Sequence, residues 1–150
     1  LAWYRSEDAD AVLDEAAPQE ELPDDELLDR ALAGLSADVD RQSGGHSVVR
    51  LKVAGGRRQQ VSVVFGGRDH EGSEIVVIYS LCGEAHPDRY EAALRENVRM
   101  PYGAVGLREV DGVPYFVMFN TILRRALSPL ELRKSVTAIA ERSVQVNERL

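Results

Sequence analysis

One cysteine in 150 residues rules out an internal disulfide. That residue, Cys82, lies in an apolar stretch and reads as a small buried hydrophobe rather than as a reactive thiol. Long apolar runs are missing too, since no segment approaches the roughly 18 residues that a membrane-spanning helix requires. The start of the chain also lacks the basic, apolar and small-residue succession of a secretory signal. A soluble, cytoplasmic protein is expected. Histidine is scarce, and His46, His70 and His86 lie far apart with no second ligand at metal-binding spacing. The pairs Gly44-Gly45, Gly55-Gly56 and Gly66-Gly67 sit at strand ends, and none precedes the Lys-Ser or Lys-Thr of a phosphate-cradling loop. Ser43 near His46, and Cys82 near His86, lack a third group to orient a nucleophile and base. Metal, cofactor and catalysis are therefore not expected.

What is present is charge, unevenly placed. Residues 1 to 40 carry a net −11 and residues 41 to 150 a net +4, which together give the formal −7. The acidic start reads either as a solvated leader or as a segment that docks on the basic body and competes with a ligand. Basic residues cluster as Arg57-Arg58, Arg124-Arg125 and Arg133-Lys134, but the aromatics sit in apolar strands instead of among them. Nucleic acid is thus a poor fit as partner. Arg124-Arg125 suits an acidic segment, which includes the chain's own leader. The chain begins on Leu1 rather than Met, as a piece of a longer protein would.

The patterned segments follow in a definite order. Residues 1 to 22, with Trp3, Tyr4 and at most a short helix over 6–17, read as an acidic leader or linker, and residues 23 to 150 as one domain with 44% hydrophobic content across the chain to supply its core. Leu28, Ala31, Leu32 and Leu35 share one face of a first helix over 24–35. Val49, Leu51 and Val53 alternate along a strand over 46–54, Gly55-Gly56 makes a tight turn, and Val61, Val63 and Phe65 continue on the returning strand. Residues 75–81 are apolar on both faces, as a central strand would be. Pro87 opens a middle helix carrying Tyr90, Ala93, Leu94, Asn97 and Val98, and Met100-Pro101 ends it. Strands over 103–110 and 113–121 join at Asp111-Gly112, a strong hairpin signal. On the second of these, Tyr115, Val117 and Phe119 face one way and Phe116 and Met118 the other. That requires either helices on both faces or a partner over one. Ser128-Pro129-Leu130-Glu131 caps a last helix whose stripe is Leu132, Val136, Ile139, Val146 and Leu150, with Leu127 and Leu132 placed for a hydrophobic staple.

This α-βββ-α-ββ-α order predicts an α+β domain, a twisted five-stranded antiparallel sheet with helices mainly on one face. Over about residues 23 to 150 it resembles the type III secretion chaperone fold, shared by CesT-like chaperones and YbjN-like regulators. Leu94 and Asn97 closing the middle helix, Gly103, Gly106 and Leu107 starting the next strand, and Leu127 to Leu132 opening the last helix carry the resemblance most specifically. It implies a non-catalytic domain that pairs with a second copy and holds an extended segment of a protein partner. The alternative is a regulatory module tethered in a larger protein, and an enzyme acting on nucleotides or nucleic acid is a distant third.

On that resemblance the pairing surface comprises Tyr90, Leu94, Val98, Val105 and Leu107. The same helical stripe also fits an internal core. The partner surface would lie along Val48, Arg50, Lys52 and Val64 of the first hairpin, where an added strand gains main-chain hydrogen bonds, together with Phe116 and Met118.

Overall fold

Helix α1 (Asp24–Leu32) starts after Pro23, with Asp24, Asp25 and Glu26 in its first turn, where the helix dipole favours carboxylates. It is the first element of a computed structural model that describes residues 21–150; the readings made for Trp3, Tyr4 and residues 6–17 lie outside the described residues. Leu27, Leu28, Ala31 and Leu32 are buried along one side of this helix.

Five residues later comes a strand the hydrophobic pattern does not announce, β1 (Ala37–Arg41), followed by β2 (His46–Lys52), β3 (Arg58–Arg68) and β4 (Glu74–Glu84). The first hairpin turn is wider than a two-residue loop. Residues 54–56 form a 3₁₀ turn, and the Val53 amide donates to the Arg57 carbonyl at 2.8 Å. The middle helix α2 (Tyr90–Glu96) is flanked by 3₁₀ turns, one opened by Pro87. Strands β5 (Ala104–Val110) and β6 (Val113–Leu123) meet across Asp111-Gly112, whose φ values of 51° and 79° suit a primed two-residue turn.

All pairings are antiparallel and the sheet runs β1-β2-β3-β4-β6-β5. It has six strands where five were expected, and the extra one is an edge. The sequence of β1, ADVDR, offers only Ala37 and Val39 to the core side and is rich in Asp, which strands disfavour. It becomes a strand because β2 supplies a template along five residues.

Helix α3 (Pro129–Arg149) lies across β3, β4 and β6 and against α1. The Ser128 hydroxyl accepts the Glu131 amide at 3.1 Å, and Leu132, Val136, Ile139 and Val146 are buried, with Leu150 packed beside them. Each buried side chain of that stripe contributes about 1.5–3 kcal/mol, against about 1 kcal/mol for the cap. The core therefore fills one side of the sheet, between α1, α3 and the inward residues Val49, Val61, Val63, Val76 and Ile78. Among the described residues no helix is long and apolar enough to cross a membrane.

Candidate protein-binding surfaces

Because side chains alternate along a strand, the core fixes what the other face carries. Phe116 and Met118 point to α3 and are buried, Met118 completely. This corrects their expected place on a partner surface. A strand that is apolar on both sides does not reveal which side the helices take, and here they take this one. The set Tyr115, Val117 and Phe119 faces the opposite way, where no helix lies among the described residues.

That uncovered face can be read from the register. Tyr79 stands between Ser62 and Phe119, and Val77 between Val64 and Thr121, with Leu81 opposite Val117. Leu81 and Phe119 are each 39% exposed, so the middle of the sheet offers apolar surface to the outside. Among the described residues no helix lies over this patch. Tyr79 also meets the His46 ring, and the Arg108 guanidinium lies 4.8 Å from its centroid. On the same face Val48 is buried, Val64 is half-buried, and Arg50 and Lys52 are exposed.

A second apolar region lies where α2 passes the edge strand β5. Leu94 is 66% exposed, Val98 91% and Leu107 51%, whereas Val105 is buried and Tyr90 packs edge-on against Phe116. Of the five residues expected at a pairing surface, the structure thus leaves three outside and two inside. Asn97 ties α2 to the strand: the Val105 amide donates to Asn97 Oδ1 at 2.6 Å, and Asn97 Nδ2 donates to the Val105 carbonyl at 3.3 Å. The side-chain amide stands in for a neighbouring strand at that residue, and antiparallel alternation leaves the main-chain groups of Leu107 and Glu109 turned outward.

The opposite edge is β1. Hydrogen bonds from Lys52 to Ser36 and from Gln42 to His46 set the phase, so Ala37, Val39 and Arg41 direct their main-chain groups away from β2. Arg41 is held by Asp25 and Asp29 of α1, which raise its pKa, and Arg58 reaches Asp38 at 2.8 Å.

At the start of the described residues, Glu21, Leu22 and Asp24 gather around Arg124. Arg124 is buried and its guanidinium donates to Asp24 Oδ1 at 2.9 Å and to the Leu22 carbonyl, with Glu21 at 3.9 Å and the Phe65 ring 6.0 Å away. A cavity of about 240 Å³ beside it is lined by Pro23, Asp24, Arg41, Gln42, Ser47 and Phe65.

Among the described residues, no three His, Cys, Asp or Glu side chains converge as a metal site. Cys82 is buried, and burial pushes its thiol pKa up. Alkylation of the native protein by iodoacetamide at neutral pH should therefore be slow and accelerate on unfolding in urea. Rapid labelling of the folded chain would show that the thiol is accessible.

No family model matches the chain, and no curated protein matches it. Among solved structures, a chain of the HopA1-SchA chaperone-effector complex matches with a TM-score of 0.56 and 18% identity, covering 83% of this chain and 92% of that one. The six-stranded antiparallel sheet with its helices on one face is therefore a chaperone-like α+β fold, in agreement with the fold that the sequence resemblance implied.

Proposed function

We propose that this chain is a non-catalytic, chaperone-like protein-binding domain that works as a homodimer and holds an extended segment of a partner protein. The observation that carries the reading is apolar surface left uncovered in two places, the outer face of β4 and β6 and the α2–β5 edge. The likeness to a chain of a chaperone-effector complex supports it. In this reading Leu94, Val98 and Leu107 form the pairing surface, and Tyr90 and Val105 support it from beneath. The partner segment runs past Val48, Arg50, Lys52 and Val64 toward the β1 edge, in a cytoplasmic setting.

The pairing half is tested by absolute mass from light scattering over a concentration series. A mass near twice 16.6 kDa is expected. Leu94→Glu should give a chain with unchanged circular dichroism and a stability within about 0.5 kcal/mol, because an exposed site away from caps and core tolerates substitution, but with the mass of a monomer. A wild-type chain that stays monomeric at high concentration would defeat the pairing model and favour the tethered regulatory module.

A further inference from the structure

The uncovered sheet face has its own charge pattern, which specifies more than a generic client. We propose that the face centred on Tyr79, Leu81, Val117 and Phe119 docks a protein segment whose apolar side chains are flanked by aspartate or glutamate. The inference rests on the protein-binding reading and adds the chemistry of the partner and its position.

Three observations carry it. The first is the apolar middle. In an antiparallel sheet with one free face, that face ordinarily alternates to polar residues, yet β4 and β6 present Tyr79, Leu81 and Phe119 there. The second is the shape of its border. Gly106 stands opposite Val117, and a Cβ added to Gly106 would lie 3.0 Å from the Phe119 ring, so the ring leans over a residue without a side chain. The ring thereby fills the space that a side chain at position 106 would take, and its exposed part widens the apolar middle toward β5.

The third is positive charge on both flanks. Arg50 shares a cross-strand row with Leu81 through Gln60, Lys52 follows on the same face, and Arg108 reaches in from β5 over Tyr79. None of these three cations is paired with a carboxylate among the described residues. Arg58, also on this face, is occupied by Asp38. Of the acidic groups on this face, Asp38 stands opposite Arg50 but is bonded to Arg58, Asp40 belongs to the outermost strand, and Glu84 sits at the far end, opposite Tyr115. A segment that buries apolar side chains on Tyr79 and Leu81 brings its flanking residues beside Arg50 and Arg108. Carboxylates there gain charge-assisted hydrogen bonds, and lysines would be repelled. Nucleic acid is disfavoured by the same inventory, since phosphates need a contiguous positive surface and this one is divided by an apolar band.

The test is to pan a library of random 16-residue peptides, displayed on phage, against the full chain, then to measure recovered peptides by fluorescence anisotropy. Enrichment of Asp and Glu together with Leu and aromatic residues is expected, with affinity falling at least tenfold for Leu81→Asp. Arg108→Glu and Arg50→Glu, which leave the apolar floor in place, should each weaken binding several-fold and flatten its salt dependence. Circular dichroism checks that each variant is folded. Peptides that bind through the α2–β5 edge, lost with Leu94→Glu but indifferent to Leu81→Asp, would overturn this site and leave the protein-binding reading standing. Recovery of basic peptides would overturn the stated chemistry. A library that yields no binder would overturn both. Peptides resembling the acidic, apolar-bearing residues 7–15 of the chain itself would support the chemistry and identify an internal competitor.

Discussion

Gly103→Ala should lower the unfolding free energy by roughly 3 kcal/mol, which is a large fraction of what a domain of this size possesses. Gly103 has a φ of 72° at the entrance to β5, and a Cβ there would overlap the carbonyl oxygen of Phe119 and meet Ile139 Cδ1 at 3.0 Å. The left-handed backbone alone costs about 1–2 kcal/mol for a residue with a Cβ. Forcing the β5–β6 ladder or Ile139 aside adds about 1–3 kcal/mol more, as overpacking of a filled core does. Gly72→Ala is the control, because φ is also positive, at 82°, but nothing lies within 4 Å of the added atom. Urea unfolding should give a clearly smaller loss for Gly72→Ala. Equal losses would mean that the β5 entrance relaxes and that only the backbone conformation matters.

The second large effect is expected at Arg124. Its side chain is only 4% exposed, yet it is charged, and it is tolerated because Asp24, the Leu22 carbonyl and the face of Phe65 surround it. Arg124→Ala removes the guanidinium and opens space under α1, and the loss should be about 3 kcal/mol. That is the low end for breaking a buried ion pair, since Asp24 keeps 45% of its side-chain exposure and regains water. Arg124→Lys should recover less than half of the loss, because an ammonium cannot serve a carboxylate and a carbonyl with the fixed fork of a guanidinium. Thermal and urea unfolding measure both. A loss under about 1 kcal/mol would place this contact with ordinary surface ion pairs.

Much of the architecture was legible because it rests on short-range rules. Ser128-Pro129 and the stripe from Leu132 to Val146 specify α3, and Asp111-Gly112 specifies the last hairpin. The inward residues of β2 and β3 were read correctly from alternation alone. Two features escaped for reasons of range. β1 owes its extended form to pairing with β2, which is a tertiary effect that overrides the weak preference of its aspartates. The side of β6 that becomes core depends on where α3 lands, so the sequence alone does not decide between Phe116 and Met118 on one face and Tyr115, Val117 and Phe119 on the other. Their signal was present as a strand apolar on both faces. Periodicity reports that such a strand has two apolar sides, and only the helices decide which of them meets water. The helical stripe divides in the same way, with Leu94 outside the core and Ala93 beside it buried.

The amide of Asn97 has a consequence for how this molecule behaves in a crowd. Open sheet edges recruit further strands without limit, and this is the geometry of fibrils. By occupying both main-chain groups of Val105, Asn97 interrupts that recruitment at one end of the sheet, and Asp38 and Asp40 set like charges against a second copy of β1 at the other. Growth by sheet extension is thereby discouraged at both ends, and the apolar area that stays bare lies on faces and not along open main chain.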